Sequence, residues 1–190
     1  KYDHCLQELL WRWRMGELDA DIKLVMSNHM DCKSLVEPYG LPYIHIPVNK
    51  HIREEAAVEQ LKYLQQADID TIILARYMQI IPKSMINIFP NQIINIHHSF
   101  LPAFVGANPY ERAFDRGVKL IGATAHYVTE ELDEGPIIEQ DVHRVSHRHR
   151  PEDLIRIGSE VERIVLARAV KWHVNDQILV HGNKTIVFPG

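Results

Sequence analysis

The chain has 190 residues, of which 46% are apolar and 24% charged, with a formal net charge of -4. That profile belongs to a globular protein with one core of ordinary size, and it argues against a disordered chain and against a nucleic-acid binder. Cys5 and Cys32 form no C-x-x-C pair and suit a reducing, cytoplasmic setting; no apolar stretch approaches the roughly 20 residues that span a bilayer.

The first element reads as a helix over residues 2–15. Cys5, Leu6, Leu9, Leu10 and Trp13 share one face at helical spacing, with Asp3 as cap and Gly16 as stop. An α/β domain ordinarily opens on a strand, and none precedes this helix. A first strand, and beyond it a further domain, is expected upstream of Lys1. Residues 22–27 form an apolar run of strand length. Residues 31–39 hold a short helix disturbed by Pro38 and ended at Gly40, and residues 43–47 the next strand. A helix over 54–66 puts Ala57, Val58, Leu61 and Leu64 on its inner face. Residues 71–75 are a strand of Ile and Leu. Short apolar strands alternating with helices predict an open, mostly parallel twisted sheet, with helices on both faces and right-handed crossovers.

Residues 93–96 form another such strand, which runs into His97, His98 and Ser99. A loop with Pro102 and Gly106 follows. Asn108 then caps a helix with Pro109 at its first position and Glu111 three past the cap; Gly117 stops it. Residues 120–128 and 137–145 are two longer strands joined by the polar turn 129–136. The last large helix starts at Pro151, with Glu152 and Asp153 near its positive end. Leu154, Val161, Val165, Ala169 and Trp172 form its buried stripe. Residues 178–181 and 185–188 flank Gly182-Asn183 as a closing antiparallel hairpin.

In an open α/β sheet, ligands bind beyond the carboxyl ends of the strands. Two segments put polar groups there: Asn95-Ile96-His97-His98-Ser99-Phe100-Leu101-Pro102, and Thr129-Glu130-Glu131-Leu132-Asp133-Glu134-Gly135-Pro136. Asn95 and His97 are two apart, so in extended chain they point to one side. An amide donor beside an imidazole can hold a developing oxyanion while the imidazole manages a proton. Glu130, Glu131, Asp133 or Glu134 could orient that histidine. The residues alone equally allow a strand-end Asn and His that merely satisfy loop backbone.

These two motifs, in this order and spacing, resemble the formyltransferase superfamily, and the resemblance covers nearly the whole chain to about Phe188. It implies a Rossmann-like fold and a catalytic trio of Asn95, His97 and Asp133. His98 through Phe104, Gly122 through Val128, and Val161 through Val170 are similar to the deformylase branch, which hydrolyses 10-formyltetrahydrofolate to formate and tetrahydrofolate. That reaction balances one-carbon folate pools and supplies formate for purine synthesis. By the same resemblance the folate lies in a slot built from Met78, Gln79, Ile80 and Ile81, with Phe100, Thr129, Leu132 and Gly135 nearby. Without the family, Met78, Ile80 and Ile81 read as ordinary core, and Phe100 and Phe104 as core as readily as pocket. Gln79 stands where the ribonucleotide transformylases carry an arginine. Those enzymes also have a glycine-rich phosphate loop where this chain has Lys1-Tyr2-Asp3-His4-Cys5-Leu6.

The folate is expected as substrate rather than cofactor, with no cofactor and no metal needed. His143, His147 and His149 are the nearest approach to a ligand cluster, and they lack helical spacing. The resemblance further implies a homo-oligomer and an upstream ligand-sensing domain of the ACT kind. Two other functions fit the residues: formyl transfer to an amine such as glycinamide ribonucleotide, and a folate-binding regulatory module without turnover.

Overall fold

A computed structural model describes residues 2–49, 51–102 and 109–190. The expected cap at Asn108, the loop glycine Gly106 and the pocket candidate Phe104 lie outside the described residues. In chain order the elements are α1 (His4–Arg14), β1 (Val25–Ser27), α2 (Lys33–Val36), β2 (Tyr43–His45), α3 (Arg53–Gln66), β3 (Ile72–Leu74), α4 (Lys83–Ile88), β4 (Ile93–His97), α5 (Pro109–Arg116), β5 (Leu120–Tyr127), β6 (Ile137–Arg144), α6 (Pro151–Val174), β7 (Ile178–His181) and β8 (Lys184–Val187). A single 3₁₀ turn, Glu37–Tyr39, follows α2 and ends at Gly40, whose φ of 71° is open to glycine at no steric cost.

The α/β expectation holds, with a mixed sheet. β1 and β2 pair in parallel, β3 and β4 pair in parallel, and β4–β5 and β5–β6 are antiparallel. Parallel pairing is thus confined to the first four strands. It gives way where β5 and β6, eight residues each, are joined by a turn instead of a helix. The C-terminal hairpin β7–β8 is antiparallel as expected.

Helix α6 covers one face of the four-stranded sheet. Its Val161, Val165, Leu166 and Ala169 pack with Ile94 and Ile96 of β4, Ala123 and Ala125 of β5, and Cys5 and Leu9 of α1. The other face is closed by α3 and α4 through Leu64, Met85, Ile86 and Phe89 against Leu74 and Ile93. Helix α4 was not foreseen: six residues are too few to show a period, and its start is set by Pro82. Two local expectations are corrected. Val58 is 55% exposed and Ala56 takes its place inside, because α3 is rotated so that its small residues meet the sheet. Asp3 sits at the start of α1 but makes no cap through its side chain, which accepts from the Gln7 side-chain amide at 2.8 Å.

Among the described residues β1 is bonded to β2 alone and β3 to β4 alone, so each keeps an open edge. A cavity of about 1100 Å³ lies between these strands, lined among others by Leu24, Met26, Ile73 and Ala75. In β1 the ladder bonds toward β2 use Val25 and Ser27, and in β3 Ile72 bonds toward β4. By the alternation of a parallel ladder, the backbone groups of Met26 and Ile73 point the other way.

Candidate active site

β4 delivers Asn95 and His97 on one face, and β5 lies directly across from them. The register sets Asn95 opposite His126 and His97 opposite Thr124. These four side chains therefore share a face before any loop contributes. Ile93 and Ile94 beneath them are fully buried, which fixes the register, since a slip of one residue would turn Asn95 and His97 into the α6 core.

The turn between β5 and β6 brings the acid. Asp133 takes a φ of 58°, unusual for a residue with a side chain, and so costs backbone energy at the point where its carboxylate is aimed. Its Oδ2 lies 3.4 Å from His97 Nδ1 and its Oδ1 lies 3.8 Å from His126 Nε2. The hydrogen bond with His97 holds the Asp133 carboxyl below the usual carboxylate range, against the opposing effect of burial. Gly135 is buried behind this turn, where a Cβ would run into the carbonyl oxygen of Tyr127. The turn is held from outside by Lys83, whose ammonium donates to Glu130 at 2.6 Å, and by Asn183, which donates to the Glu134 carbonyl at 2.9 Å.

His126 is the residue that sequence reasoning missed. Its Nδ1 lies 2.9 Å from the Tyr127 carbonyl, which can only accept, so Nδ1 carries the proton. Nε2 is then an acceptor for the Asn95 side-chain amide at 3.3 Å. Burial lowers the His126 pKa and keeps the ring neutral in that tautomer. The bond fixes which end of the Asn95 amide is nitrogen and leaves its second N–H without a partner among the described residues. The signal was present in the motif Gly122 through Val128, but only strand register shows that position 126 faces position 95.

His97 is 7% exposed, and its Nε2 is buried with no partner among the described residues. A buried imidazole nitrogen without a partner is costly unless a ligand supplies one. The loop beyond β4 is anchored by Thr124, whose hydroxyl donates to the Ser99 carbonyl at 2.9 Å and accepts from the Leu101 amide at 3.0 Å. Gln140 on β6 adds a bond to the Leu101 carbonyl at 3.1 Å.

The arrangement thus presents an amide donor, an imidazole with one nitrogen on a carboxylate and the other open, and a strained acidic turn. Such a set can hold a carbonyl oxygen as it becomes negative and move a proton beside it. Of the expected slot residues, Met78, Ile80 and Leu132 are large, apolar and more than half exposed, which separates Met78 and Ile80 from the core. Ile81 belongs to the core under α4. Gln79 and Thr129 are half-buried, and Phe100 is exposed beside Gly122 of β5. Met78, Gln79 and Ile81 also line the cavity between β1 and β3, whose lining includes none of Asn95, His97 and Asp133.

His143, His147 and His149 do not assemble as a metal-ligand set among the described residues. The one group whose ligand atoms gather within 4.8 Å is His4, Cys5 and Glu162. It fits a metal poorly: both Glu162 oxygens already accept hydrogen bonds, the Arg76 guanidinium lies 3.5 Å away, and burial pushes the Cys5 thiol far up.

The formyl transferase family model matches residues 1–170. The chain belongs to the formyl transferase family. It is 60% identical over 185 residues to a formyltetrahydrofolate deformylase of Bacillus subtilis, covering 97% of this chain and 62% of that protein. A crystal structure of a formyltetrahydrofolate deformylase from Pseudomonas syringae pv. tomato superposes with a TM-score of 0.96 at 55% identity, covering 98% of this chain and 63% of that one. Family members named for another reaction share the fold. A glycinamide ribonucleotide transformylase from Symbiobacterium toebii superposes with a TM-score of 0.92 at 30% identity, covering 99% of this chain and 90% of that one. The chain thus spans about three fifths of the length of the deformylases it matches.

Proposed function

We propose that this chain carries the catalytic part of a formyltetrahydrofolate deformylase, which adds water to 10-formyltetrahydrofolate and releases formate and tetrahydrofolate. The observation that carries the reading is the unpartnered Nε2 of a buried His97, whose Nδ1 faces Asp133 and whose strand neighbour Asn95 is held by His126. The free Asn95 N–H donates to the formyl oxygen as it becomes an oxyanion. Asp133 holds the attacking water. His97 Nε2 hydrogen-bonds the reacting centre and hands a proton to the leaving nitrogen as the carbon–nitrogen bond breaks. Met78, Gln79, Ile80, Ile81, Phe100, Thr129, Leu132 and Gly135 form the folate slot, the exposed apolar side chains of Met78, Ile80 and Leu132 giving a pterin its flat contact surface. The folate is the substrate, and the groups named suffice for the reaction without a cofactor or metal.

The same reading takes the protein to be a cytoplasmic homo-oligomer that binds neither nucleic acid nor membrane. Among the described residues no helix is long and apolar enough to cross a membrane. It also includes a segment upstream of Lys1. That segment adds a strand in the cavity between the open edges of β1 and β3, and beyond it an ACT-type sensing domain. A second reading, formyl transfer to an amine, has one observation in its favour, the shared fold of the transformylases.

Full-length protein incubated with 10-formyltetrahydrofolate alone, and then with added glycinamide ribonucleotide, separates the two. The deformylase reading expects formate at equal rates in both mixtures. No formate without the amine, with formylated product in its presence, refutes it. Folate binding with no formate in either mixture, and no rate to lose in His97→Ala, would point instead to a binding module.

A further inference from the structure

Four polar side chains that the proposed mechanism does not use meet behind the catalytic histidine. Glu162 of α6 is 1% exposed. Its Oε2 accepts from His4 Nε2 at 2.7 Å and its Oε1 from the Tyr110 hydroxyl at 2.6 Å, while Arg76 Nε stands 3.5 Å away. Burial alone would raise the Glu162 carboxyl, but the bond from His4, the charge of Arg76 and the Tyr110 hydroxyl together hold it below its usual range, so the carboxylate stays charged. Tyr2 lays its ring over the Arg76 guanidinium at 4.8 Å. The cluster continues to the site: the Tyr110 and His98 rings are 6.2 Å apart, and His98 stacks on His97 at 5.3 Å.

Stability alone is a weak reason for this cluster. Buried ion pairs commonly add little over apolar packing. Here Arg76 has a side chain 8% exposed, leaves Nε and Nη1 without hydrogen-bond partners among the described residues, and takes a φ of 61°. Space is also reserved for the Tyr110 ring, since any Cβ at Gly158 of α6 would overlap it. Strain, orphaned donors and reserved space in one place, one ring away from a catalytic residue, mark a functional device.

The place itself suggests the device. The cluster stands at the carboxyl ends of β3 and β4, where ligands of α/β sheets enter, and at the first turn of α1, whose free N–H groups would otherwise suit an anion. His4 and Tyr2 close that turn and Tyr110 fills the room up to His98.

We propose that the His4–Arg76–Tyr110–Glu162 cluster is a plug that occupies the space an amine acceptor would need beside His97 and so reserves the formyl carbon for water. This rests on the deformylase reading above and names what enforces it on a fold shared with transferases. Water passes because it needs no more room than one oxygen; a primary amine carrying a carbon chain does not fit.

The test uses full-length protein with 10-formyltetrahydrofolate and measures formate and formylated amine together, with hydroxylamine and glycinamide as probes. Wild-type protein is expected to yield formate and some formyl hydroxamate, but no formylglycinamide. His4→Gly and Tyr110→Ala, alone and combined, are expected to raise the ratio of formylglycinamide to formate at least tenfold. Glu162→Gln, which keeps the volume, is expected to leave that ratio unchanged. An unchanged ratio in folate-binding variants that open the space overturns the proposal. Should those variants fail to fold, the wild-type probes decide: formylglycinamide formed as readily as formyl hydroxamate, per unit of amine reactivity, overturns it too. Failure of the deformylase reading looks different, as wild-type protein then releases no formate when no amine is present.

Discussion

Gly158→Ala sets two effects of opposite sign against each other. Gly158 lies well inside α6, where glycine costs about 1 kcal/mol relative to alanine, so propensity alone predicts stabilisation. The structure predicts the reverse. An added Cβ would fall inside 3.0 Å of the Tyr110 Oη, Cζ and Cε1 atoms, and Tyr110 is itself buried among Ala113, Ile121, Leu154 and Ile157. Overpacking of this kind costs about 1–3 kcal/mol. Moving the ring also breaks the 2.6 Å bond from the Tyr110 hydroxyl to the Glu162 carboxylate, a bond to a charged group worth about 1.5–3 kcal/mol. Sterics win, with a net loss of about 3 kcal/mol, which for a domain of this size lowers the melting temperature by roughly 6–12 °C. Thermal and urea unfolding of the full-length protein measure it. On a Tyr110→Ala background the clash is gone, and the same Gly158→Ala change is expected to stabilise by about 1 kcal/mol. A higher melting temperature for Gly158→Ala in the otherwise unaltered protein would refute the reasoning.

Asn95→Ala should lower turnover by about 10²–10³, the usual cost of an oxyanion donor, with the melting curve nearly unmoved; turnover equal to wild type removes Asn95 from the mechanism. His126→Ala should act through Asn95, lowering kcat with little change in KM for the folate, and a double mutant with Asn95→Ala should be no worse than Asn95→Ala alone. Acid should destabilise the fold through His98. Burial, and then the charge of Arg76, lower its pKa to about 4, with Glu162 and Asp133 opposing and His97 reinforcing. Between pH 6.5 and about 4 the unfolded chain binds a proton there that the folded chain refuses, so stability falls with pH across that window, by up to about 3 kcal/mol. Urea midpoints that stay level from pH 7 to pH 4.5, or that fall equally in His98→Asn, would contradict this. In the full-length protein the backbone amides of Met26 and Ile73 should be slow to exchange with deuterium if a strand fills the cavity between β1 and β3; fast exchange at both speaks against it.

Much of this protein is legible from local signals. Gly16, Gly40, Gly117 and Gly182 mark element ends and all take positive φ, as their positions after periodic segments imply. The apolar runs, with the Gly182-Asn183 turn, place all eight strands nearly where they lie. Asn95 and His97 are visible as neighbours because spacing along one strand is a local property. Asp133 is different: only the family pattern singles it out from Glu130, Glu131 and Glu134, since four acids on one turn look alike until the backbone aims one of them. The rest depends on which strand lies beside which. His126 becomes part of the site only through the antiparallel register of β4 and β5, and the meeting of His4, Arg76, Tyr110 and Glu162 joins three helices and the loop after β3, separated by as many as 158 residues. Composition and periodicity carry no record of such pairings, because burial rewards any apolar face alike. It is the packing of α6 across the sheet that decides which polar groups are enclosed together and which are left to water.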